Sequence, residues 1–230
     1  MSAKAHATVA ELDCAPVDGS LRDPTLRFVR RAAPALGAGL LLSFSSSFGQ
    51  TFFLSLFGGV WREAFDLSHS AFGALYAVAT LSSAVCLLAV GKIVDHVPPS
   101  RIALILLVLT ALAALWLSSA ANVLALGAGL FAMRVLGQGL LSHLAMTTVA
   151  KWFDAARGRA LGIAMLGFPI GEAMLPVAAA SAMATFGWRA VWLGVAAFAA
   201  FALAPAIVLL AARAERAAHP TDRKVASTRR

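Results

Sequence analysis

Apolar residues run along this chain in six long blocks, roughly 34–59, 70–91, 101–120, 122–150, 158–183 and 188–212, divided by short polar interruptions. A helix needs about 20 mostly apolar residues to cross about 30 Å of hydrocarbon, and each block is long enough. The interruptions carry helix punctuation. Pro34 suits a first helical turn, where its missing N–H is not needed, and Ser68 or Ser70 can cap the second helix. Little more than Ser119–Asn122 separates the third block from the fourth, which predicts a tight antiparallel hairpin. Pro169, Pro176 and Pro205 fall inside blocks five and six and predict kinks or local unwinding, tolerable where neighbouring helices satisfy the freed carbonyls.

Composition turns this pattern into a class. Hydrophobic residues make up 60% of the 230 and charged residues 13%, with a mean hydropathy of +0.81; a soluble domain has about 25% charged residues. Of the 30 charged side chains, 17 lie in 1–31 and 213–230. The expectation is an all-α membrane protein: a polar tail over 1–33, a six-helix domain over 34–212, and a basic tail over 213–230. Glu11, Asp13, Asp18 and Asp23 stand where a secretory signal would need an apolar core. With both tails cytoplasmic, 16 of the 19 Lys and Arg residues fall on the cytoplasmic side, only Arg62 and Arg189 face out, and Arg134 lies within a helix. That bias accounts for the net charge of +8 without nucleic acid as a partner. Cys14 and Cys86 suggest neither a disulfide framework nor a thiolate metal site. Nucleotide-binding, hydrolase and zinc signatures are absent, so the reading is not an enzyme, with no cofactor and no metal.

Four short motifs then fall in order along the blocks. Gly91-Lys92-Ile93-Val94-Asp95-His96 joins blocks two and three. Arg134 with Gly137, Gln138 and Gly139 lies in block four. Lys151-Trp152-Phe153 followed by Arg157-Gly158-Arg159-Ala160-Leu161-Gly162 leads into block five, and Gly187-Trp188-Arg189-Ala190-Val191-Trp192 opens block six. Together they resemble the major facilitator superfamily, at the places the motifs occupy in the family's N-terminal six-helix half. The resemblance covers about 34–212. It implies two inverted three-helix repeats, both termini cytoplasmic in the inner membrane, and alternating access around a midplane site between two halves. The runs Phe48-Gly49-Gln50-Thr51 and Arg134-Val135-Leu136-Gly137-Gln138-Gly139 resemble the organic-anion and monocarboxylate branch, which implies a small organic anion as cargo, moved with a proton or by exchange. By the same resemblance Gly91, Asp95 and Arg101 form a cytoplasmic gate. His96 and Pro98-Pro99 depart from the family's Arg and Gly-Arg at that loop, and Glu172 stands where the antiporter motif has proline.

The residues that carry chemistry are few. Arg134 lies 12 residues into helix four, about 18 Å from its outer end at about 1.5 Å per residue. A charge at that depth faces a cavity or a partner, so Arg134 is either an anion site or half of a structural pair with Glu172 or helix-end carbonyls. Gln138 shares its wheel direction and His143 opposes it. Glu172, the acid deep in the apolar region, reads as a proton carrier or as a packing-level ion pair. It follows Gly158/Gly162 and Gly167/Gly171, two spacings that let helices approach closely. Ser43, Ser47 and Gln50 form a polar stripe on helix one, open to cargo binding or to ordinary bonding with backbone carbonyls. Tyr76 is an interfacial anchor or a cargo hydroxyl donor. Half of the resembled fold leaves one cavity wall missing. The lone chain therefore pairs with a second six-helix half, pairs with itself, or is a non-transporting interaction protein or relic.

Overall fold

The computed structural model describes residues 24–94 and 97–218. Asp95 of the gate motif, His96, Cys14 and most of both tails lie outside the described residues. Every regular element among the described residues is helical. A short α1 (Pro24–Arg31) leads into α2 (Ala33–Ser46), which has Pro34 in its first turn. A 3₁₀ turn over Ser47–Gly49 comes next, then α3 (Thr51–Ser55) and α4 (Gly58–Ala64). This first stretch bends by 65° before α4.

Beyond it lie α5 (His69–Val94) and α6 (Pro99–Ser118). Ser68 caps α5, its Oγ accepting from the Ala71 N–H at 3.1 Å. The fourth stretch, Val123–Trp152, is α7 (Val123–Met133), a π-helical segment over Arg134–Leu141, and α8 (Ser142–Trp152). Asn122 opens it by accepting from the Ala125 N–H at 2.8 Å, so the hairpin between α6 and α7 is as short as its sequence predicts. The rest is α9 (Arg157–Ala164), α10 (Gly167–Ala197), a π segment over Phe198–Leu203, and α11 (Ala204–Ala218). That π segment precedes Pro205, which has no N–H to donate and whose ring crowds the preceding turn.

By length and composition, four helical stretches can cross a membrane, or five with the bent first pair. The count differs from the expected six because blocks five and six form one stretch of 61 residues, Arg157–Ala217. At about 1.5 Å per residue it would run about 90 Å if straight. Gly187 interrupts it with φ 78° and ψ 164°, a non-helical conformation open to glycine.

The centre of the molecule is α2, packed against α8, α10 and α11, while α6 lies against α10 and α11. Phe48, Phe53, Phe57, Trp61 and Trp192 are buried in the largest core cluster. Their rings meet in sequence, from Phe48–Phe53 at 5.6 Å to Trp61 stacked on Trp192 at 6.1 Å. The last stretch holds α6 at both ends. Arg189 Nη1 donates to the Ser118 carbonyl at its C-terminus at 2.8 Å. At its N-terminus the Ser100 N–H and Oγ–H donate to the two Glu215 carboxylate oxygens at 2.8 and 2.7 Å. Each charge has the sign that end of the helix dipole favours. By contrast α5 is largely bare on one side, with Leu81 68% and Leu88 78% exposed.

Candidate functional site

Two irregular backbones meet at one level of the bundle. The first stretch is 3₁₀-helical over Ser47–Gly49 and extended at Gln50 (ψ 153°). The fourth is π-helical over Arg134–Leu141. Gly49 and Gly137 are where they touch. A Cβ on Gly137 would lie 2.6 Å from Gly49 N and 2.7 Å from its Cα, and one on Gly49 would overlap the Met133 carbonyl. Neither position has room for any side chain. A π segment adds residues to the turn and rotates the helix beyond it, a device common at functional sites.

Arg134 is the first residue of that π segment and is only 7% exposed. Its Nη1 donates to Thr51 Oγ1 at 3.0 Å and, more weakly, to the Gly49 carbonyl at 3.5 Å. Its guanidinium carbon lies over the Tyr76 ring, 5.4 Å from the centroid. Nε is buried without a hydrogen-bond partner, and no carboxylate pairs with this arginine among the described residues. Further buried polar atoms without hydrogen-bond partners include the Tyr76 hydroxyl, Thr80 Oγ1, Gln138 Oε1 and, in the 3₁₀ break, Ser47 Oγ. An unpaired buried guanidinium is costly unless something anionic meets it, and its planar fork matches a carboxylate.

The structure therefore joins Arg134 and Tyr76, with Gln138 in the same π segment as Arg134 and Gln50 half-buried at the adjoining break. It places Ser43 and Ser47 elsewhere on helix one. Both are fully buried against the fifth block: Ser43 Oγ donates to the Gly39 carbonyl at 2.9 Å, and Gly171 presses on the Ser47 side chain. Gly167 sits on the backbone of Leu40 and Phe44, so Gly167/Gly171 do seat helix five on helix one. Gly158 and Gly162 meet nothing within 4 Å.

Glu172 is exposed and forms no pair with Arg134. The acid is not buried as the proton-carrier reading supposes: Gly171 takes the face of α10 that packs, which leaves Glu172 on an exposed face. Of the gate residues, Gly91 lies in α5 and Arg101 is exposed at the start of α6. Thr51 stands in the helix-one run Phe48-Gly49-Gln50-Thr51, but the pattern alone does not give its role with the Gly49 carbonyl as acceptor for Arg134, and it passes over Thr80, whose hydroxyl is buried and unpartnered. Thr80 stands four residues after Tyr76, a spacing that puts both on one helix face.

The family model described as Major Facilitator Superfamily matches residues 39–230. The riboflavin transporter RibJ of Trypanosoma cruzi (strain CL Brener) is 32% identical over 125 residues, which is 54% of this chain and 26% of that protein. No solved structure matches.

Proposed function

This chain belongs to the major facilitator superfamily, and on that premise we propose that it is a six-crossing half of a secondary active transporter for a small organic anion. It is a multi-pass membrane protein, and the first, fourth and last stretches each carry a break within the apolar region. Division of Arg157–Ala217 at Gly187, with the bent first stretch taken as one crossing, gives six crossings and puts both termini on one side. The Lys and Arg distribution makes that side cytoplasmic, in the cell's inner membrane.

The observation that carries the cargo reading is Arg134: a buried guanidinium with no acid beside it, held between two broken helices. Such breaks are found at membrane depth where backbone lines a cavity or is buried in protein. Arg134 supplies the charge, Tyr76, Gln50 and Gln138 the neighbouring polar groups, and Ser43 and Ser47 fix helix one against helix five. Glu172 carries the coupled proton, in symport or in exchange. An exposed carboxylate at membrane depth is unfavourable against lipid, which supports a face of α10 covered by water or by a second six-helix half. Gly91, Asp95 and Arg101 gate the cytoplasmic mouth. Alternating access then needs the opposing second half of the fold.

Counterflow of labelled L-lactate in proteoliposomes tests the reading, with the chain alone and with a supplied C-terminal half. Flux that Arg134→Gln lowers by about a hundredfold is the expected result, in keeping with loss of a charged pair. Absence of flux in both arrangements would instead favour a non-transporting interaction half. Riboflavin, named for the relative, is the informative competitor. It carries no carboxylate, so it should not displace lactate from Arg134.

A further inference from the structure

We infer that Thr51 is the positioning residue for Arg134: with the Gly49 carbonyl it pins one guanidinium nitrogen and leaves the Nε–Nη2 edge uncommitted to the protein, as a fork for a carboxylate. This rests on the reading of Arg134 as the anion-binding group. Both hydrogen bonds of Arg134 pass through the same nitrogen, Nη1, to Thr51 Oγ1 at 3.0 Å and to the Gly49 carbonyl at 3.5 Å. Nε is buried and unpartnered, and Nη2 makes no hydrogen bond among the described residues. A guanidinium offers two parallel N–H donors along each edge, and a carboxylate takes two at once. Using Nη1 for the protein leaves the Nε–Nη2 edge whole. The Tyr76 ring, 5.4 Å from the guanidinium carbon, covers one face and limits rotation about the last bond.

The location of the seat adds a consequence. Gly49 ends the 3₁₀ turn, Gln50 is extended, and Thr51 begins α3. The two acceptors thus stand on either side of the break in helix one. They keep their spacing only while α3 holds its present angle to α2. Thr51 is exposed although the arginine it holds is buried, so water or cargo reaches the seat from that side. Any rotation of α3 that carries Thr51 away from Arg134 also unlocks the fork, which ties anion affinity to the shape of helix one.

Two measurements on the full chain in detergent decide it. In equilibrium binding of L-lactate, Thr51→Val should weaken affinity about tenfold, the loss of one hydrogen bond to a charged group, and Thr51→Ser should restore it to within about twofold. Arg134→Gln should abolish binding. If Thr51→Val binds like wild type while Arg134→Gln does not, the positioning role is overturned and the anion site stands. If Arg134→Gln binds like wild type, the anion site itself fails. The second measurement needs no cargo. Thr51→Val should lower the melting temperature in the wild-type background and leave it unchanged in an Arg134→Met background, because the bond is already gone. Equal drops in both backgrounds overturn the seat whatever lactate does.

Discussion

At Gly49 and Gly137 the space available is set by backbone, not by side chains that can move aside. A methyl group on either meets the main chain of the other helix at under 3 Å, so relief requires the two helices to separate. Overpacking of that kind costs about 1–3 kcal/mol. Gly49→Ala and Gly137→Ala should each lower the melting temperature by about 5 °C, and both should disturb the seat of Arg134. Gly158→Ala and Gly162→Ala are the matched controls. Nothing lies within 4 Å of either, and alanine is the better helix former by about 1 kcal/mol, so their melting temperatures should hold or rise. Glu172 invites a different test. If Glu172 is a proton carrier, Glu172→Gln should leave exchange intact and erase the pH dependence of uptake; a pH profile like that of wild type would overturn that role.

Among the helices, α6 shows how charge placement orders a bundle that has no hydrophobic drive between its members. Lipid tails are as apolar as leucine, so helix pairing in a membrane relies on close packing and hydrogen bonds. Arg189 at one end of α6 and Glu215 at the other supply three such bonds from the last stretch. Arg189→Met and Glu215→Gln should each destabilise the chain by about 1 kcal/mol. The double variant should add the two effects, since the sites sit at opposite ends of a 20-residue helix. A thermal melt of the three variants checks both points. Elements of this kind were legible in the sequence to different depths. Apolar length gave α5, α6 and their limits within a few residues, and Ser68 and Ser119–Asn122 marked real ends, because caps and hydrophobic span are local properties. The π segment at Arg134–Leu141 was not legible. It arises where Gly137 yields to the backbone of Gly49, a contact between residues 88 apart in sequence. The same contact sets the site: Arg134 stands at the start of the π segment and meets Tyr76 of α5, a meeting that no helix face in the sequence implied. Ser43 and Ser47 turned to helix five because Gly167 and Gly171 leave room for them there.

For the whole molecule, the charge distribution and the breaks make one joint demand. In the proposed six-crossing topology the interruptions at high charge density, around Lys92–Arg101 and Lys151–Arg159, lie on the side of the tails, and those poor in charge, around Ala121 and Gly187, on the other. A chain that crossed four times would place Arg157–Ala217 as a single stretch about three times the thickness of the hydrocarbon, with Gly187 stranded inside it. Crossing six times puts Gly187 in water, where its φ of 78° turns the chain and leaves Arg189 free to reach Ser118 at the end of α6. Single cysteines in a background without Cys14 and Cys86 separate the two. Cysteines replacing the exposed Glu63, Ala121 and Thr185 should react with a membrane-impermeant maleimide from outside intact cells. Those replacing Asp154 and Arg213 should react only after permeabilisation. If Thr185 is labelled on the same side as Arg213, the last stretch does not turn at Gly187 within the membrane boundary, and the six-crossing half is lost. If Ala121 and Thr185 are labelled together from outside, the α6 C-terminus and the Gly187 turn share one aqueous face, the arrangement that the Arg189–Ser118 hydrogen bond requires.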